Sequence, residues 1–255
     1  MAKEKTTTPE QDFSFLNAED QAKGFEQIGM GEQAIPFLRL AQELSPQVKE
    51  SKPEYIEGLK PGMIFNSVTK EIYEEGLEIV SGGFEHVYIE WPPERGSAAP
   101  LAYHAADMID KVAADKSKFG DWRTKDGNKL EENYLYYCLV VGKEGEGICV
   151  LPMKSTSIKV AKQWNRQLLN KVLPNGQKAM PYYLTWTVKG APESKGGNDY
   201  WQWKVDWKGY VTKDLYEAVS TERKSLPTVS SLDFKQLSGP DGSVESEKSD
   251  SEVQY

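Results

Sequence analysis

Residues 181–211 read PYYLTWTVKGAPESKGGNDYWQWKVDWKGYV, and their pattern decides the class of fold. In the first half Tyr182, Leu184, Trp186 and Val188 alternate with Tyr183, Thr185, Thr187 and Lys189. In the second half Trp201, Trp203, Val205 and Trp207 alternate with Gln202, Lys204, Asp206 and Lys208. A repeat of two belongs to an extended strand, whose successive side chains point to opposite faces. The intervening APESKGGN is rich in Gly, Pro and Ser and reads as a loop, so the two runs form a hairpin. Its apolar stripes are core candidates. The chain nevertheless carries 7 Trp and 13 Tyr, more rings than a small β core holds, so some are expected at the surface.

The same signals extend outward from this hairpin. Upstream, Ile158, Ala161, Trp164, Leu168 and Val172 recur every three or four residues, the period of a buried helical face. Thr156 or Ser157 is placed to cap that helix, and Pro174-Asn175-Gly176 stops it after about Val172. Before it, NYLYYCLVV and GICVLPM flank a tight KEGEG link and predict a second hairpin. Cys138 and Cys149 are expected to face each other across it as small buried thiols.

Further upstream, LEIVSGGFEHVYIEWPP predicts two strand pieces around a Gly82-Gly83 turn, halted by Pro92 and Pro93. EGLKPGMIFNSVTKEIYEEG carries a Pro61-Gly62 turn and a strand at Met63–Phe65. IPFLRLAQELSP gives a strand ended by Ser45-Pro46. Between the upstream and central strands lies an excursion in which AADMIDKVAADK has helical propensity and Asp126-Gly127 marks a turn. Downstream, KDLYEAVSTERK predicts a short helix.

The sum is about eight short strands with one or two helices, mostly hairpin-linked. This is a mainly β chain with a few helices. The predicted architecture is an oligonucleotide-binding (OB) fold-like small β-barrel of five strands, with insertions and disordered termini. The expected organisation is a flexible N-terminal arm over residues 1–33, with a short helix near Ala18–Gln27, and a domain over 34–232 with an insert at about 92–130. A disordered acidic tail follows over 233–255.

The charge pattern is as informative as the periodicity. The chain has 31 Lys+Arg against 39 Asp+Glu, a formal charge of −8. Yet no Asp or Glu occurs from Gly147 to Pro192, where Lys154, Lys159, Lys162, Arg166, Lys171, Lys178 and Lys189 are found. Lys159, Lys162 and Arg166 fall at i, i+3 and i+7, one stripe roughly 60° wide at about 100° per residue. A solvated helix face ordinarily mixes signs, with Glu set against Lys one turn away. A face cleared of carboxylates suits a polyanion, because each phosphate contact releases condensed counterions. Rings beside lysines then favour unpaired bases, which offer open π-faces as a duplex does not. Trp164, Tyr183 and Tyr200 are the candidate stacking rings, and Lys154, Lys159, Lys162, Arg166, Lys171 and Lys189 the candidate phosphate contacts.

An enzyme is not expected. The sequence lacks a GxxxxGK[ST] phosphate loop, a GxGxxG after a strand, a GxSxG elbow and an HExxH pair. His86 and His104 are the only histidines and have no neighbouring cysteine partners, so neither a metal nor a cofactor is predicted. No apolar run approaches the roughly 20 residues of a membrane span, and MAKEKTTTPEQ is too polar for a signal peptide. A soluble cytoplasmic protein is expected.

The C-terminal SGPDGSVESEKSDSEVQY places Asp241, Glu245, Glu247, Asp250 and Glu252 against a single Lys248 and ends on the aromatic Tyr255. A tethered polyanion of this kind competes with nucleic acid for a cationic groove and, once displaced, can recruit partner proteins. Together with IPFLRLAQELSP, EGLKPGMIFNSVTKEIY and VLPMKSTSIKVAKQWN, the tail resembles bacteriophage-encoded single-stranded DNA-binding proteins of replication. The resemblance spans about Ile35 to Asp206 plus the tail. It implies an OB fold, sequence-independent binding of single-stranded DNA, and tail contacts to a phage polymerase or helicase-primase. The insert around Pro92–Lys129 and the tail's Lys248 depart from that pattern. Two rival readings remain open at this level: a recombination, annealing or nuclease accessory factor, and a phage structural protein whose rings are core and whose lysines serve assembly.

Overall fold

A computed structural model of the chain describes residues 34–93, 100–116, 122–227 and 229–232. The N-terminal arm and the acidic tail expected from the sequence lie outside these residues. The described chain is mainly β with three α-helices. Strands β1 (Leu38–Leu40), β2 (Ile64–Asn66) and β3 (Ile72–Tyr73) form one antiparallel sheet. A larger sheet contains β4 (Leu77–Trp91), β5 (Ala102–Ala105), β6 (Asp115–Lys116), β7 (Trp122–Arg123), β8 (Lys129–Val140), β9 (Ile148–Lys154), β10 (Leu184–Lys195) and β11 (Asn198–Tyr210). Its order is β11-β10-β4-β8-β7-β6, with β5 added beside β4 and β9 beside β8. Helices α1 (Ile109–Val112), α2 (Ile158–Asn170) and α3 (Lys213–Glu222) complete the fold.

The expected closed OB barrel is not formed among the described strands, which make open antiparallel sheets. The antiparallel β1–β2 pair meets β9 and β11 through β1, but without a continuous ladder to either. Towards β9 there is one parallel bridge, Phe37 with Val150, where Val150 N–H donates to Pro36 O at 2.8 Å. Towards β11 the Gln42 amide accepts from Trp201 N–H and donates to Trp201 O, both at 2.8 Å. A side chain thus satisfies backbone groups that a barrel would pair with another strand. The backbones also meet closely there: a Cβ on Gly190 would collide with Gly62 O.

Three local expectations are corrected by tertiary contacts. Gly82-Gly83 is no turn, because β4 runs through it continuously with only a register shift against β8. The glycines make room instead, since a Cβ on Gly83 would stand 2.6 Å from Leu226 Cδ1 and one on Gly82 3.2 Å from Arg223 Cγ. Likewise most of APESKGGN is strand. The turn shrinks to Gly196-Gly197, both at positive φ, as a two-residue hairpin turn requires. Among the described residues of the insert only Ile109–Val112 is α-helical, because Ala114 N–H is drawn to Arg123 O beside the β6–β7 pairing. Propensity yields there to sheet extension.

The core agrees with the apolar stripes. Leu184, Trp186 and Val188 of β10 are fully buried with Tyr136, Cys138, Leu151 and Met153 of β8–β9. Cys138 and Cys149 are cross-strand partners and both are free thiols. Burial pushes Cys149 up to about 12 and raises Cys138 as well, so both remain protonated at neutral pH.

Candidate nucleic-acid interface

Helix α2 organises the candidate site. Ala161, Trp164 and Leu168 face the sheet, as their spacing predicts, while Val172 lies beyond the helix and is exposed. The predicted cap is absent. The Thr156 and Ser157 hydroxyls donate to Gln202 Oε1, both at 3.3 Å, and Gln202 Nε2 donates to Thr156 O at 2.9 Å. These groups fasten the start of α2 to β11. Two residues along β11, on Gln202's own face, Tyr200 is half-buried. Lys204 lies two residues the other way, paired in the ladder with exposed Lys189 of β10.

Along the outer side of α2, Lys159, Lys162 and Arg166 are exposed in one row. With Ser155, Thr156, Ile158 and Gln163 they line a shallow depression of about 510 Å³. Among the described residues none of these three cations has an ion-pair partner. Other lysines do: Lys208 meets Glu78 at 3.0 Å and Lys213 meets Glu217 at 3.7 Å. The potential over α2 is therefore left uncompensated within the described chain.

Beyond the helix, Lys171 places its Nζ 3.7 Å from the centre of the Trp207 ring. Trp207 packs edge-on to Tyr210 at 5.7 Å, and Tyr210 donates its hydroxyl to Val172 O at 2.8 Å. Sequence reading assigned Trp207 to the core face and did not single out Tyr210. The register shift between Thr185 and Trp186 sets Tyr210 opposite Leu184 and so on the same face as Trp207, which pairs with Trp186, and both rings are exposed near the end of β11, the edge strand of the sheet. No periodicity announces such a bulge. A second ring group, Tyr182, Tyr183 and Tyr216, lies nearby in the chain, with Arg223 over Tyr182 at 3.7 Å. Tyr183 is half-buried within it.

Two predicted site residues are displaced into the interior. Trp164 is 1% exposed, lies against Tyr136 at 4.1 Å between ring centroids, and meets the edge of Trp186 at 5.9 Å. It is a core residue because it sits in the middle of α2's inward face, so it offers no ring to a base. Lys154 is 5% exposed and stands 3.6 Å from the half-buried carboxylate of Glu131, at the end of β9, and so does not face outward to a phosphate. The remaining cations, Lys159, Lys162, Arg166, Lys171 and Lys189, reach the surface. Asp241, Glu245, Glu247, Asp250, Glu252 and Tyr255 lie outside the described residues.

The histidines sit elsewhere, in the β4–β5–β8 region. His86 Nε2 is 3.0 Å from Glu132 Oε1, and His104 Nε2 is 2.7 Å from Glu90 Oε2, whose other oxygen accepts from Asn128. Among the described residues no three His, Cys, Asp or Glu side chains are grouped to hold a metal ion. No helix there is long and apolar enough to cross a membrane.

A family model described as Pam3 phage gp34-like protein matches residues 3–228. The chain belongs to that family. The gp34-like match spans both sheets, α2 and α3, and sets the chain among bacteriophage proteins, as the phage resemblance of its sequence implied. The single-stranded DNA-binding part of that resemblance has to be argued from the gp34-like chain's own surface. Neither the curated proteins nor the solved structures contain a match to it.

Proposed function

We propose that this gp34-like chain is a non-catalytic, sequence-independent single-stranded DNA-binding protein of phage DNA replication or recombination. The observation that carries the reading is the row Lys159, Lys162 and Arg166, exposed and without ion-pair partners among the described residues, in a chain of net charge −8. A protein with eight surplus carboxylates whose described residues leave one helix face uncompensated has a surface suited to an anion. The row's span of one helical side matches several consecutive phosphates rather than a single anionic group. Lys171 and Lys189 extend this surface at the helix end and on the adjoining hairpin.

Titration with oligo(dT) tests the proposal. Exposed Trp207 makes quenching of intrinsic fluorescence the expected signal, with affinity falling steeply as salt rises. Absence of binding at about 50 mM salt, where phosphate contacts are strongest, overturns it. Strand cleavage in magnesium or manganese would favour the nuclease-accessory reading instead. Rings or filaments formed without DNA, together with indifference to DNA, would favour a structural role.

The acidic segment carrying Asp241, Glu245, Glu247, Asp250, Glu252 and terminal Tyr255 completes the proposal. It competes with DNA for the cationic row and recruits replication proteins, a polymerase or helicase-primase, when displaced. Deleting residues 238–255 is therefore expected to raise affinity for oligo(dT), most at low salt. An unchanged or lower affinity refutes the competition.

A further inference from the structure

Trp207 is 41% exposed and Tyr210 40%, large figures for rings on a sheet whose Trp91, Trp186 and Trp203 are buried and whose Trp122 and Trp201 are half-buried. Neither ring is loose. Trp207 Nε1 donates to Gly209 O at 3.1 Å, and the Tyr210 hydroxyl is held by Val172 O. On the α2 side their surroundings come from the carboxylate-free stretch: Lys171 lies against the Trp207 face, and Val172 forms a bridge with exposed Lys178, while on another side Tyr210 borders a depression lined by Glu78, Glu144 and Asp214. Exposed Leu169, Val172 and Met180 supply apolar neighbours.

We infer that Trp207 and Tyr210 form the base-stacking site of the protein, receiving unpaired bases of a strand whose phosphates lie on Lys159, Lys162 and Arg166. This rests on the single-strand reading above and specifies it. The site lies just past the C-terminal end of the cationic helix, so one strand meets phosphate contacts along α2 and then the two rings. Charge complementarity names the occupant. Lys171 lies on the Trp207 face and Lys178 bridges Val172, the acceptor of the Tyr210 hydroxyl; neither lysine has an ion-pair partner among the described residues, whereas a protein partner of ordinary surface presents both signs. Rings already fixed by hydrogen bonds lose little freedom when a base stacks on them. Lys171 holds the indole face and swings to a phosphate when a base arrives, keeping both the ring and the cation solvated or paired throughout.

The test compares oligo(dT) with an abasic strand of equal length on the full chain. Wild type is expected to prefer oligo(dT) by about tenfold or more, from stacking alone. Trp207→Ala is expected to lose about 5- to 100-fold on oligo(dT), to bind the abasic strand like wild type, and to keep the slope of log affinity against log salt. Trp207→Phe restores most of the preference. Tyr210→Leu gives an independent measurement should Trp207→Ala lose its cooperative unfolding. Retention of the full preference for bases in both variants overturns the inference while leaving DNA binding standing. So does a shift in oligomeric state with no change in that preference, which makes the patch a contact between copies. Failure of the wild type to bind oligo(dT) removes the functional proposal itself, and this site with it.

Discussion

Replacing Lys159, Lys162 and Arg166 together by alanine is expected to weaken oligo(dT) binding several-hundredfold at low salt. Each phosphate contact on a single strand contributes about −0.7 to the slope of log affinity against log salt, so three lost contacts flatten the slope by about 2. Extrapolated from 1 M to about 50 mM salt, that difference corresponds to roughly 500-fold. All three side chains are exposed and without ion-pair partners among the described residues, and alanine is the strongest helix former. The triple variant should accordingly keep its circular dichroism and its unfolding midpoint. A steep salt dependence that survives the three substitutions means that the phosphates lie elsewhere, and the reading of α2 falls.

The second large effect is on stability. Trp164→Ala should cost about 3–5 kcal/mol, because it removes a large ring from a packed interior and leaves a cavity behind. The indole is 1% exposed and joins α2 to both sides of the core, through Tyr136 of β8 and Trp186 of β10. At about 2–4 °C per kcal/mol for a domain of this size, the melting temperature should fall by roughly 6–20 °C. Below that transition, affinity for oligo(dT) is expected to stay near the wild-type value. A large loss of affinity with unchanged stability would return Trp164 to the stacking role assigned to it from sequence. The pair of experiments separates what the two faces of one helix do.

Much of the fold was legible because strand and helix periods are local. The Leu184–Trp186–Val188 stripe, the inward row Ala161–Trp164–Leu168 and the opposition of Cys138 to Cys149 all follow from counting positions. The exposed row Lys159–Lys162–Arg166 was legible for the same reason, since a helix with a known inward face has a known outward one. Trp164 shows the limit of scanning by residue type. Its place on the inward row and its suitability as a stacking ring could not both hold, and packing decided for the row. Trp207 failed in the opposite direction: it keeps the face of its buried partner Trp186, yet it stands near the end of the edge strand β11 and is exposed there.

The missing barrel has a similar cause. Strand number and hairpin signals suggested closure, yet closure depends on whether distant edges find each other. Here the short β1 strand and the Gln42 amide stand between β9 and β11, and the ladder stops. Gly82-Gly83 was read as a turn although the pair exists to admit Arg223 and Leu226, more than 140 residues further along. What the linear chain determined unaided was the alternation of its strands, the two-sidedness of α2, and a carboxylate-free stretch in an acidic protein. Folding in three dimensions alone decided which lysine was buried against Glu131, which rings reached solvent, and how the sheets ended. Periodicity and charge are properties of neighbours in sequence, whereas burial, register and sheet closure are settled by contacts between residues far apart in it.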